Sequence, residues 1–293
     1  MMILITGWTG NTGSLVLKKL LEQYNPQEII GITRKQNNSN PEGIIVEKSS
    51  LENKEDIENL FKKHKIKTII HIANIRYSPL ILELANKYRI HKVILIHTTG
   101  IYSKYRAYSK LYHEIENDIL SNQYPYTNYI ILRPTMIYGN ERDHNMHKLI
   151  KFLNKYPVFP VFGNGKALMQ PVHVEDLANI IIKAHNEDNL KNKDYDISGG
   201  SVVSYKEVLE LITKELGKKV YFVHIPIKLA IFGSKFISKF IAKPIVSIEQ
   251  VKRLQEDKIY SHEKAKVDLG YTPRTFAIGI VEEVRLLKEK GVI

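Results

Sequence analysis

The chain has 293 residues, with 43 lysines and arginines against 31 acidic residues, a formal net charge of +12 and no cysteine. The length admits one large domain or two lobes sharing a core. The missing cysteine excludes disulfides, thiolate zinc sites, iron–sulfur clusters and cysteine nucleophiles. Met2–Thr6 reads as a buried strand, and Ser14–Gln23 as a helix with Leu15, Leu17, Leu20 and Leu21 turned inward. Strands are predicted next at Glu28–Thr33 and Gly43–Glu47, then a helix over Lys54–His64 with Ile57, Leu60 and Phe61 at helical spacing. Lys67–Ala73, Lys92–Thr98 and Asn128–Leu132 are further apolar strands. Uninterrupted apolar strands of this kind belong in a parallel sheet covered on both faces.

After Pro134 the pattern turns helical. Helices are expected over Glu175–His185, Ser204–Leu216, Pro226–Lys243, Ser247–Gln255 and Ala277–Lys290, with a short strand at Tyr195–Ile197. Ser204 followed by Glu207 forms a capping box. The alternation gives an α/β class, a Rossmann-type doubly wound parallel sheet with a smaller, mainly helical C-terminal lobe. The dinucleotide domain is expected over 1–165, with its sheet completed from 166–198, and the substrate lobe over 166–293. No basic leader, signal-peptide run or roughly 20-residue apolar span occurs, so a cytoplasmic, soluble protein is expected.

Thr6-Gly7-Trp8-Thr9-Gly10-Asn11-Thr12-Gly13 lies between the first strand and the first helix. Glycines there allow a tight turn and close approach of backbone to a pyrophosphate, which the helix N-terminus attracts. Gly7, Thr9, Gly10, Asn11, Thr12 and Gly13 are therefore cofactor candidates. After the second strand an acidic residue would bind a ribose 2′-hydroxyl, whereas a basic one accommodates a 2′-phosphate. The sequence has Arg34 and Lys35 and no carboxylate, which favours NADP over NAD. Ser50 and Leu51, after the third strand, join the cofactor candidates.

With that loop in place, the chain resembles the extended and atypical short-chain dehydrogenase/reductases, the NAD-dependent epimerase/dehydratase group. His71-Ile72-Ala73, Leu132-Arg133-Pro134-Thr135-Met136-Ile137-Tyr138-Gly139, Gly163-Asn164-Gly165 and Pro171-Val172-His173-Val174-Glu175-Asp176-Leu177-Ala178 carry the resemblance. It implies hydride exchange between a nicotinamide and a sugar carbon, in an epimerase, dehydratase or reductase acting on a nucleotide- or lipid-diphosphate-linked sugar for surface polysaccharide. It also implies that Ile72, Ala73, Pro134, Thr135 and Met136 border the cofactor.

The same resemblance implies a hydroxyl after the fifth strand, here Thr98, and a tyrosine four residues before a lysine. Before Lys110 that position is Arg106, with Tyr105 five residues away and Tyr108 two. Five residues rotate side chains about 140° apart on a helix, so Tyr105 can join Lys110 only if the helix starts late. Thr98, Tyr105 and Lys110 are the catalytic candidates, and the displaced tyrosine leaves a non-catalytic NADP-binding sensor or scaffold as the alternative. Where relatives carry a phosphate-gripping arginine, Gln170 stands, with Lys166 nearby. Lys235, Lys239 and Lys243 line one face of the 226–243 pattern opposite isoleucines and phenylalanines, as peripheral membrane contact requires. This stretch resembles the corresponding part of epimerases acting on undecaprenyl-diphosphate-linked sugars. A homodimer fits the resemblance, no recognition-helix pattern for nucleic acid is present, and no histidine spacing suggests a metal.

Overall fold

The structure is a computed structural model that describes residues 2–34, 42–105, 107–143, 145–229 and 248–293. Its centre is a seven-stranded parallel sheet built from β1 (Met2–Thr6), β2 (Ile29–Thr33), β3 (Ile45–Lys48), β4 (Ile66–His71), β5 (Lys92–Ile96), β6 (Asn128–Pro134) and β11 (Lys193–Ile197). The strand order is β11-β6-β5-β4-β1-β2-β3. The chain leaves β1 in one direction to form β2 and β3, then crosses back to place β4 on the other side. The C-terminal ends of β1 and β4 thus flank the crevice where such sheets bind ligands.

Helix α1 (Asn11–Leu21) and helix α6 (Val174–Asn186) cover one face, where Val16, Leu17 and Leu20 meet Leu177, Ile180 and Ile181 over Ile3, Ile5 and Ile70. Helices α2 (Lys54–Lys63), α3 (Ser78–Lys87) and α4 (Ser109–Ser121) cover the other, with Ile57, Phe61, Ile81, Leu82 and Ile119 against Leu4, Ile69, Leu95 and Ile131. Both faces of the central strands are therefore dry, which is why those strands carry no alternating polar residues.

A third apolar cluster lies in the later half. It joins α5 (Met146–Lys155), α7 (Tyr205–Leu216) and the closing helix Phe276–Glu289 through Ile150, Leu153, Leu209, Ile212, Ile280 and Val284. Three two-stranded pairs frame it: β7 (Ile137–Tyr138) with β10 (Val172–His173), β9 (Leu168–Met169) with β12 (Val203–Ser204), and β8 (Val158–Phe162) with β13 (Tyr221–Ile225). The expected capping box is formed at α7: Ser204 Oγ accepts from the Glu207 N–H, and a Glu207 carboxylate oxygen accepts from the Ser204 N–H.

Three differences from the sequence reading have physical causes. Helix α1 begins at Asn11, so Gly13 lies inside it, where a Cβ would stand 2.1 Å from the Gly7 carbonyl oxygen. Close packing against the turn outweighs glycine's poor helix propensity. Strands β4 and β5 stop short of Ala73 and Thr98 because those residues leave the ladder at the crevice. Helices α3 and α5, Glu263–Leu269 and the β8–β13 pair were not expected. The 226–243 amphipathic pattern lies outside the described residues from 230 onward, and Lys35 and Arg106 lie outside them as well.

Candidate active site

The crevice is built by the turn after β1. Gly7 has φ +72°, and a Cβ on it would meet the Ala73 nitrogen at 3.1 Å and the Ile72 carbonyl carbon at 3.2 Å. Only glycine allows this conformation and this approach together. The Gly10 N–H closes the turn on the Gly7 carbonyl at 2.9 Å. Trp8 is turned in rather than out: its indole N–H donates to the Ile32 carbonyl at 3.0 Å, and its ring covers Gly31, where a Cβ would come within 2.6 Å of the indole nitrogen. The loop is thereby fastened to the end of β2. Asn11, Thr12 and Gly13 form the first turn of α1, whose opening N–H groups have no helical partners of their own.

Beneath the loop, the Thr6 hydroxyl donates to His71 Nδ1 at 2.8 Å and accepts the Ala73 N–H at 3.3 Å. The His71 Nε2–H is left to donate to the Asn74 carbonyl at 3.2 Å, which fixes the neutral tautomer. Full burial lowers its pKa to about 4. His71 pins β1 to β4 and stays uncharged at neutral pH.

The other expected cofactor residues are spread along the same end of the sheet. Arg34 is exposed at the end of β2, and the Ser50 N–H donates to Asp56 at 3.2 Å beside half-buried Leu51. Thr135 donates to the Gln170 carbonyl at 2.6 Å, and Thr99 donates to the Pro134 carbonyl at 3.3 Å, so the turn after β5 is tied to the end of β6. The Thr98 hydroxyl accepts the Gly100 N–H at 3.0 Å and caps the short turn Thr99–Tyr102. Gln170 is buried, with its amide donating to the Gly199 carbonyl and accepting from the Tyr260 N–H, so it is committed inside the protein. Lys166 is exposed.

Helix α4 does not assemble the expected tyrosine–lysine pair. Its inward face carries Tyr112, Glu116 and Ile119, whereas the Lys110 side chain is 89% exposed with its ammonium 3.9 Å from Glu114. Tyr105 stands before the helix, half exposed, with the Lys252 ammonium 5.9 Å from its ring centre. Tyr108, the residue before the helix, is exposed as well; it stacks on Tyr112 at 6.2 Å, with the Arg76 guanidinium 5.0 Å from its ring. Arg76 follows β4, so Tyr108 lies at the sheet's C-terminal end. Four-residue spacing from Tyr108 leads to Tyr112, which places Lys110 on the opposite side.

Glu116 anchors that helix. Both its carboxylate oxygens are engaged, one by Arg133 and one by His97 Nδ1 at 2.7 Å, and His97 Nε2 accepts from Ser78 at 3.0 Å. Arg133 also reaches Asp194 at 2.7 Å, while Asp196 takes the Tyr102 hydroxyl at 3.2 Å. Burial raises the Glu116 pKa, but the bonds to His97 and Arg133 outweigh it and hold the carboxyl below its ordinary range. Burial, with Asp196 beside it, raises the Tyr102 phenol, which stays a donor.

Among the described residues His173, Glu175 and Glu282 could enclose a cation. However, His173 Nδ1 accepts the Glu175 N–H at 3.3 Å, which puts the ring proton on Nε2, the atom a metal would need. Arg274 meanwhile pairs with Glu175, Asp176 and Glu282. The cluster is an arginine–carboxylate clasp between α6 and the closing helix.

A sequence model of the NAD dependent epimerase/dehydratase family matches residues 3–87 and 73–198. The chain belongs to this family. It is 27% identical over 272 residues to a putative UDP-glucose 4-epimerase of Methanocaldococcus jannaschii, an alignment covering 74% of this chain and 83% of that protein. It is also 27% identical over 149 residues to the mitochondrial NADH-ubiquinone oxidoreductase 40 kDa subunit of Neurospora crassa, covering 50% of this chain. It spans only 38% of that subunit's length. The UDP-glucose 4-epimerase of Thermotoga maritima, solved with UDP-glucose, superposes with a TM-score of 0.76 at 20% identity, covering 99% of each chain. The doubly wound sheet with a C-terminal helical lobe is thus the fold of this family. No helix among the described residues is long and apolar enough to cross a membrane.

One residue that touches the glycine turn is not among the residues the sequence points to. Arg142 lies in the loop after β7, yet its guanidinium donates to the Thr9 carbonyl and to Ser14 Oγ at 3.0 Å, bridging the glycine turn. No sequence signal marks it, because the contact joins residues 128 positions apart.

Proposed function

We propose that the protein binds a nicotinamide adenine dinucleotide across the ends of β1, β4, β5 and β6 and uses it for hydride exchange on a sugar carried by a nucleotide diphosphate. The observation that carries this reading is the glycine turn, in which Gly7 lies against Ala73 and Gly13 against Gly7 at the sheet's topological switch. Arg34, basic and exposed at the end of β2, supports NADP as the preferred form. Tyr108, before α4 and beside Arg76, is our candidate for the proton-transfer group, with Thr98 after β5 as the accompanying hydroxyl. A lipid-diphosphate carrier is the second substrate class, supported by the sequence pattern over 226–243.

Titration with NADH and NADPH by fluorescence tests the cofactor. Arg34→Asp should move the affinity ratio toward NADH, and an unchanged ratio would remove Arg34 from that role. Incubation with UDP-glucose and no added cofactor should equilibrate it with its 4-epimer if the reaction is an epimerisation. Consumption of added NADPH with a keto-sugar would indicate a reductase. Tyr108→Phe should lower turnover by about a hundredfold or more. Loss of turnover in Lys110→Ala with Tyr108→Phe still active would return the role to the Tyr105–Lys110 pair.

A second reading is favoured by the outward Lys110: a dinucleotide-binding protein that performs no turnover. It predicts tight NADPH binding with no reaction on a panel of nucleotide sugars.

A further inference from the structure

We infer that Arg142 is a second binding element for the dinucleotide diphosphate, closing on the glycine turn from the side of the C-terminal lobe. The inference rests on the dinucleotide reading above. Its guanidinium spans the Thr9 carbonyl and Ser14 Oγ, which flank in sequence the opening N–H groups of α1. A planar fork with five donors at that place suits a diphosphate, which accepts paired hydrogen bonds. Hydrogen bonds to one carbonyl and one hydroxyl leave donors over, and a diphosphate would add charge neutralisation to those contacts.

The loop that bears Arg142 is held firmly. Asn140 Oδ1 accepts the Arg142 N–H at 2.9 Å, and Asp143 accepts N–H groups from Asn145, Met146 and His147 at 2.6, 2.7 and 3.0 Å. Glu141 pairs with Lys290 beyond the closing helix at 2.7 Å. At the loop's start Gly139 has φ +124°, and a Cβ there would meet the His173 ring at 2.4 Å. The backbone is thus fixed while the long side chain stays exposed, as a contact that must reach a ligand and release it requires. The arrangement also ties cofactor binding to the lobe that would hold the sugar, since the same loop leads into α5.

The full-length protein should be titrated with NADH, with ADP-ribose and adenosine as competitors, in wild type, Arg142→Ala and Arg142→Lys. Arg142→Ala is expected to weaken NADH and ADP-ribose by about tenfold or more, to leave adenosine competition unchanged, and to keep the wild-type melting temperature. Arg142→Lys should recover part of the loss. NADH affinity unchanged in Arg142→Ala, or an equal loss for adenosine, overturns the inference and leaves the dinucleotide reading standing. A wild type that binds neither NADH nor NADPH overturns the dinucleotide reading and the Arg142 assignment with it.

Discussion

Substituting glutamine for Glu283 should flatten the dependence of stability on pH above neutrality. Glu283 points from the closing helix into the base of the Arg142 loop and is fully buried. The Asp143 carboxylate lies beside it, and the Gly139 N–H faces the same carboxyl group and opposes the rise only in part. Asp143 already accepts three backbone N–H groups, so a shared proton resides on Glu283 and is donated to Asp143. Burial first, and then Asp143, pushes the Glu283 pKa from 4.5 up to about 10. Between those values the folded chain retains a proton that the unfolded chain has released. Stability from this group is therefore complete below about pH 4.5 and falls as pH rises, by about 1.4 kcal/mol per unit.

From pH 7 to pH 9 the wild type should lose about 2–3 kcal/mol through Glu283. Glutamine keeps the shape and an N–H for Asp143 but has no proton to lose. The buried histidines act in another window: burial lowers His71 and His185 to about 4, so they weaken the fold only as pH drops below about 6.5. Urea unfolding followed by circular dichroism at pH 7, 8 and 9 measures both proteins, and their difference cancels every other titrating group. Parallel curves for wild type and Glu283→Gln would refute the protonated dyad.

Gly13→Ala puts a methyl group 2.1 Å from the Gly7 carbonyl oxygen. It should destabilise the fold by about 1–3 kcal/mol and abolish NADH binding, as thermal unfolding and fluorescence titration would show. Glu116→Ala leaves Arg133 and His97 buried without their shared partner and should cost about 3–5 kcal/mol, read by denaturant unfolding. Ser204→Ala removes the α7 cap and should cost about 1 kcal/mol while leaving NADH affinity intact, a control that separates stability from binding.

The sheet was legible because Ile3, Leu4, Ile5, Ile69, Ile70, Val93, Ile94 and Leu95 form unbroken apolar runs that suit only a doubly covered parallel strand. The glycine turn was legible because its spacing is local. Helix α5 was obscured by the lysines at 148, 151 and 155 on its outer side, and β8 by Pro160 within the run. The outward position of Lys110 has a different origin. Matching a lysine by its distance from a tyrosine ignores which face the helix turns inward, and that face is set by Glu116, whose partners Arg133 and His97 come from β6 and the end of β5. Long-range ion pairs of this kind leave no periodic trace. Arg142 was hidden for the same reason, its partners being brought to it by the fold alone.

Trp8 is the only tryptophan in the chain, and it sits in the glycine turn with its ring 6% exposed over Gly31. The protein therefore contains one indole, which can be excited apart from its 17 tyrosines, placed beside the proposed nicotinamide dinucleotide site and shielded from water. Indole emission overlaps the absorption of reduced nicotinamide, so NADH or NADPH bound there should quench Trp8 by energy transfer. Occupancy of the crevice can then be followed in the unlabelled, full-length protein at a single reporting position.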